Sequence, residues 1–230
     1  MTQTWCDLLF AHWPVAPADL LPTLPPGLRL DTYAGRAWVS VTPFFLTGLR
    51  LRGLPPLPGC AAFPELNVRT YVTGPSGARP GIFFYSLDAA SPLAVAGARL
   101  LGLPYFVARM TVRRASDWVD YRAERAHPGA PPARFVARYR PTGPAAPAPL
   151  GSLEEWLVER YCLYAVAPGG VLHRLEIHHG PWPLQPAEAT LDLGTLVSQH
   201  GITLPPIPPL LHFAHRQEML GWPPSPLASI

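Results

Sequence analysis

Three polar residues recur at every second position of one apolar stretch, FPELNVRTYV (residues 63–72): Glu65, Asn67 and Arg69. On an extended strand, alternate residues share a face and lie about 6 to 7 Å apart. Glu65, Asn67, Arg69 and Tyr71 therefore point one way, and Leu66, Val68, Thr70 and Val72 the other. If the polar face lines an interior, Arg69 can hold a carboxylate through paired N–H bonds. Asn67 can orient an oxygen, and Glu65 can act as a general base once burial raises its pKa. On a solvated sheet the same set is an ordinary Glu–Arg pair. Ser86 and Asp88 share a face at the end of the next run, IFFYSLD, and Arg99 follows on a helix-like segment. These three either add to a ligand site or, as an Asp88–Arg99 ion pair, tie the helix to the sheet. Tyr105 offers a hydroxyl as donor or acid. The catalytic candidates are thus Glu65 and Tyr105; the ligand-binding candidates are Asn67, Arg69, Ser86, Asp88 and Arg99.

Other chemistries are poorly supplied. All 18 basic residues are arginine, so no side-chain amine exists for a Schiff base and no P-loop lysine for phosphates. His178 and His179 are adjacent and face opposite ways on a strand. His173 and His179 share a face but stand too far apart for one ion, and only His212 and His215, on a helix, could share a face closely. No HExxH or paired Cys/His spacing accompanies them, so neither metal nor cofactor is expected. No GxSxG elbow is present. Cys6, Cys60 and Cys162 are odd in number and lack CxxC spacing, which suits reduced thiols in a cytoplasmic protein. The net charge of +3 is spread over scattered arginines, against a nucleic-acid partner. The opening MTQTWCDLLFAHW lacks a secretory pattern, and no apolar run is long enough to span a bilayer. The expected partner is a small molecule, with the proline-rich loops serving as a lid or as a subunit contact in a homo-oligomer.

The elements that must position these residues are mostly strands. The 32 prolines punctuate extended runs. A short helix near Pro17 or Asp19 precedes a hairpin of RLDTY with Arg36–Leu46 about an Ala34-Gly35 turn. Strands follow at 65–72, 82–88, 105–114, 117–125 and 134–140. Ser91-Pro92 opens a helix ending at Gly102. Ser152 and Glu155 have capping-box spacing for a second helix, SLEEWLVERY. CLYAV and VLHRLEIHHG form a hairpin about a Pro-Gly-Gly turn, a third short helix lies near Leu193–His200, and the tail holds regular structure only around Pro209–Met219. Eight to ten strands, three short helices and no βαβ rhythm describe a mainly β, α+β single domain over residues 1–230, closed or nearly closed as a barrel.

Residues 63–110, with ERYCLYA and IHHGPWPLQPA, resemble the DUF2071 (YqjF-like) family of uncharacterised bacterial proteins over nearly the whole chain. That family is in turn similar to acetoacetate decarboxylase, which implies a β-barrel around an internal pocket. The decarboxylase carries Gly-x-Pro-Lys-Lys at its Schiff-base lysine. The matching stretch here is Gly102-Leu103-Pro104-Tyr105-Phe106, so Tyr105 and Phe106 occupy the lysine positions. The resemblance implies the barrel and the pocket's place, and argues against decarboxylation by lysine. Three functions remain open: an enzyme using Glu65, Arg69 and Tyr105 in lysine's stead, a non-catalytic ligand-binding protein, and a structural or interaction protein with a filled barrel.

Overall fold

Period-two runs of branched and aromatic residues build a sheet that closes on itself. The computed structural model describes residues 1–56, 59–75, 77, 79–167 and 170–227. The strands are β1 (Thr2–Val15), β2 (Arg29–Leu30), β3 (Ala37–Arg50), β4 (Ala62–Thr73), β5 (Gly81–Ala89), β6 (Tyr105–Ala115), β7 (Trp118–Arg125) and β8 (Arg134–Pro141), then β9 (Cys162–Val166), β10 (Leu172–His179), β11 (Gln185–Asp192), β12 (Leu210–Gly221) and β13 (Ser225–Pro226). Three short helices interrupt them: α1 (Pro17–Leu20), α2 (Pro92–Leu100) and α3 (Leu153–Val158).

The pairings trace two ring-like circuits with a common seam. One runs β5-β6-β7-β8-β11-β12-β1-β3-β4 and returns to β5; the other runs β5-β9-β10-β12-β1-β3-β4 and returns to β5. The β5–β6 and β5–β9 pairs are parallel, and the remaining neighbours antiparallel. Strands β12, β1, β3, β4 and β5 wall both circuits; β4, β5 and the middle of β1 and β3 are buried on both faces, while β12 exposes His215, Arg216, Glu218 and Leu220. On one side, Leu9, Ala11, Val39, Val41, Leu66 and Val68 join Tyr121, Phe135, Tyr139 and Phe213 in a filled apolar core. On the other, Leu8, Phe10, Phe44, Phe63, Tyr71 and Trp182 form a second core.

Several local expectations hold. Ser91 Oγ accepts the Ala94 N–H at 3.3 Å, Pro92 opens α2, and Gly102 follows with φ +78°. Ser152 Oγ accepts the Glu155 N–H at 3.2 Å. The strands β7 and β8 alternate buried and exposed, as their half-polar pattern implies. The first hairpin is different: β2 pairs with β4, and only the Tyr33–Arg36 bridge remains of the pairing with β3. Helix α3 stops at Val158, where Glu159 leaves helical geometry and Arg160 Nε donates to the Trp156 carbonyl at 2.7 Å. A 3-10 turn at Ser198–His200 is the only helical geometry between Leu193 and His200. His212 and His215 lie on β12, so they do not share a helical face. The Pro168-Gly169 part of the β9–β10 turn lies outside the described residues. Among the described residues, no helix is long and apolar enough to cross a membrane.

Two substitutions test the frame. Arg125 grips Asp88 with two bonds of 2.7 Å, both side chains nearly inaccessible. Asp88→Ala strands that guanidinium, and denaturant unfolding should show a loss of about 3 to 5 kcal/mol; a loss under about 1 kcal/mol would mean water reaches the pair. At Gly102 a Cβ would sit 2.6 Å from Ala167 Cα, on a left-handed backbone. Gly102→Ala should destabilise by about 1 to 3 kcal/mol in the same assay, and an unchanged midpoint would contradict that close approach.

Candidate functional site

The second circuit leaves space unfilled. A cavity of about 80 Å³ lies between β4, β5, β9, β10 and the ends of β1 and β12, and Glu65, Asn67 and Arg69 line it. The alternation of β4 puts these three on the cavity side, while Leu66 and Val68 enter the filled core. The register Thr42↔Asn67 and Phe44↔Glu65 adds two residues of β3 to the same wall. All three candidates are buried, Glu65 being 3% and Arg69 8% exposed, which excludes the solvated sheet face.

Glu65 meets Tyr105, whose hydroxyl lies 3.2 and 3.1 Å from the two carboxyl oxygens. Burial raises the Glu65 pKa from 4.5 to about 8, against the opposing pull of the Tyr105 hydroxyl and the Asn67 amide. At neutral pH the carboxyl is therefore mostly protonated. Tyr105 is itself raised well above its ordinary value by burial and by Glu65. The hydroxyl comes from the first residue of β6. Tyr121, reaching over from β7, donates to the Glu65 carbonyl at 2.8 Å and fixes the strand that carries the acid.

Arg69 makes no ion pair with Glu65. Its guanidinium lies 5.4 Å from the Phe10 ring and 6.0 Å from the Tyr71 ring, and its Nε has no acceptor among the described residues. Asn67 Oδ1 and Thr42 Oγ1 are likewise buried without a partner. Behind Arg69 lies a closed polar triangle: His12 Nδ1 to Ser40 Oγ at 2.6 Å, Ser40 Oγ to the Tyr71 hydroxyl at 2.6 Å, and that hydroxyl to His12 Nδ1 at 3.2 Å. Burial, with Arg69 and His212 nearby, holds His12 well below its usual pKa, so it is neutral.

The remaining candidates fall elsewhere. Ser86 and Asp88 are buried but do not line the cavity. The register of β5 against β4 jumps between Val68↔Ser86 and Arg69↔Phe84, and the bulged Tyr85 reverses which residues face the cavity. Ile82, Phe84 and Leu87 line it instead. Asp88 pairs with Arg125, correcting the expected Asp88–Arg99 pair; Arg99 is exposed and donates to the Tyr105 carbonyl at 2.9 Å. The motifs also left out Thr42, Trp5 and Trp182, the last two stacked at 5.6 Å in the cavity wall. A hydroxyl in VSVTPFF and two lone tryptophans carry no spacing signal. No group of three or more His, Cys, Asp or Glu among the described residues is placed to hold a metal ion.

With this geometry in hand, the similarities can be placed. The chain's fold matches an acetoacetate decarboxylase-like enzyme from Sphingomonas wittichii RW1 at TM-score 0.67 and 17% identity, covering 100% of this chain and 93% of that one. It matches the enduracididine biosynthesis enzyme MppR complexed with pyruvate at TM-score 0.66 and 13% identity, covering 99% and 90%. Acetoacetate decarboxylase from Legionella pneumophila gives TM-score 0.63 and 16% identity, covering 99% and 87%. At these identities the likeness shows the fold alone. In sequence, the chain is 50% identical over 224 residues to uncharacterized protein YqjF of Bacillus subtilis (strain 168), covering 97% of this chain and 90% of that protein. The model of DUF2071, described as an uncharacterized conserved protein, matches residues 2–218, and the chain belongs to that family.

Proposed function

We propose that the cavity is a small-molecule site in which Glu65 and Tyr105 exchange a proton with a bound carbonyl or carboxylate compound, with no lysine Schiff base. The observation that carries this reading is the buried Glu65 carboxyl, its pKa moved to about 8 and both oxygens within reach of the Tyr105 hydroxyl at the cavity wall. A carboxyl poised near neutral pH serves as acid and base in turn. As carboxylate, Glu65 removes a proton from the carbon next to a carbonyl, leaving an enolate whose oxygen the Tyr105 hydroxyl can stabilise by a hydrogen bond. The reverse step returns the proton. Two of the structural neighbours support a carbonyl ligand, one named as acetoacetate decarboxylase and one complexed with pyruvate.

The test is deuterium wash-in from heavy water into small ketones and 2-oxo acids, followed by proton NMR. The wild-type rate should climb with pH and level off above about 8, since the base form does the work. Glu65→Gln should lower it by about 100-fold or more while leaving the fold intact. Exchange that survives in Glu65→Gln removes the acid–base role. No exchange with any compound that binds leaves a purely binding function.

Stability gives an independent reading of the same group. The folded pKa is raised, so the native state holds a proton that the unfolded chain releases between about 4.5 and 8. Wild-type stability should therefore decline across that window as pH rises. Glu65→Gln should gain on wild type by several kcal/mol, on the order of 4, between those limits. Parallel denaturation curves at every pH would show that Glu65 is not buried as a neutral acid.

A further inference from the structure

We propose that the ligand taken by this cavity is a short monocarboxylate with one apolar tail, its carboxylate on Arg69 and its tail running past Phe84 and Leu163 toward Trp222. This rests on the cavity being a ligand site. It adds the ligand's charge and polarity, which the proton-transfer reading leaves open.

The charges within the protein single out Arg69. Three arginines among the described residues are buried. Arg125 has Asp88, and Arg160 has Asp31 at 2.6 Å. Arg69 alone of the three has no carboxylate among the described residues, and its Nε–H has no acceptor. Phe10 and Tyr71 offer it ring faces, which soften the cost of burial without supplying a counter-charge. Glu65 is turned toward Tyr105 and is neutral at neutral pH, and His12 behind Arg69 is neutral as well. A guanidinium left this way is costly, and an anion in the cavity removes the cost. Two further lining residues, Trp5 and Trp182, each carry a buried N–H without an acceptor among the described residues. Against these three donors stand one acceptor, Asn67 Oδ1, and the Thr42 hydroxyl, which can do either, so donors predominate, which suits a carboxylate rather than an amine.

The rest of the lining sets the other end. Leu87, Leu163, Leu175, Ile177 and Met219 form an apolar wall that ends at the partly exposed Trp222. Two charged groups lie at that end: Glu176 already takes Arg79 and Arg174 at 2.7 Å each, and the Met1 amine, its pKa lowered by burial and by Arg52, donates to the Gly221 carbonyl at 2.7 Å, so these cations are already engaged. A dicarboxylate would bring its far end against Glu176, and a phosphate would bring two charges to one arginine. The volume of about 80 Å³ is well below the roughly 300–1,000 Å³ of drug-sized sites, which limits the tail to a few carbons.

Calorimetry at pH 7 with acetate, butanoate and hexanoate, against butanamide, succinate and inorganic phosphate, decides it. Butanoate should bind wild type, with about fourfold tightening per added methylene until the cavity is full. Butanamide, succinate and phosphate should bind at least tenfold more weakly than butanoate. Arg69→Met should lose butanoate by at least tenfold while holding butanamide within about threefold, and Arg69→Gln serves if the methionine variant does not fold. Equal binding of butanoate and butanamide, or of butanoate and succinate, overturns the proposal and leaves the cavity as a site for another class. If none of the probes binds wild type, the ligand-site reading fails with it. Deuterium exchange at Glu65, measured with ketones that carry no charge, is scored separately from either result.

Discussion

Burial of both faces of β4 is the constraint from which the rest of this protein follows. A strand walled by two interiors has no solvent side on which to put polar groups, so each one must be paired, neutralised or directed into a cavity. Thr70 takes the first route, donating to the Trp38 carbonyl at 2.8 Å. Glu65 takes the second, keeping its proton beside Tyr105. Asn67 Oδ1 and Arg69 Nε take neither, and both residues border the unfilled space. The filled circuit makes this tolerable. Its aromatic core, with Tyr121 bonded to the Glu65 carbonyl, holds β4 rigid from behind while the opposite face carries the polar set.

The two circuits accordingly divide their work. The nine-stranded one is packed like an ordinary interior and contains the buried Asp88–Arg125 pair, which Gln199 extends at 2.8 Å and the Phe106 ring covers at 4.1 Å. That network is complete, so nothing in it calls for a ligand. The seven-stranded one joins β5 to β9 by two registered residue pairs and β10 to β12 by three. The nine-stranded circuit has joins as short, β5 to β6 by three pairs and β11 to β12 by two, so the difference lies in the aromatic side chains that fill it. Phe106 and Tyr105 show the division within two residues: the first covers Arg125, the second turns to Glu65.

Sequence alone made β4 legible because its alternation is unbroken from Phe63 to Tyr71, and period two is what a strand face obeys. The caps of α2 and α3 were legible for a similar reason, since the Ser side chain and the N–H it accepts are three residues apart. β5 was legible as a strand but its faces were not, because the bulge at Tyr85 reverses parity without any glycine or proline to announce it. β1 escaped notice for a related reason. Asp7 has φ 47°, and near it the register with β3 shifts, so Trp5 and Leu8, three apart, both line the cavity. β12 was located, as regular structure around Pro209–Met219, but the proline-rich tail around it gave no sign that it is a strand central to both circuits. Asp88 was matched to Arg99, eleven positions on, when its partner stands 37 away across the sheet. Closeness along the chain is a poor guide where strands are long and the sheet closes on itself.

A tyrosine rather than a cation beside Glu65 sets the electrostatics of this cavity. A lysine ammonium beside Glu65 would draw the carboxyl toward ionisation, since an opposite charge favours the charged form. A tyrosine hydroxyl supplies only a hydrogen bond, which burial outweighs, and the acid keeps its proton to about pH 8. With Glu65 neutral, the positive charge of Arg69 is not cancelled across the cavity. The cavity wall therefore holds an uncancelled guanidinium and a near-neutral acid together. That pairing of groups, on one face of one strand, is the chemical character of this cavity.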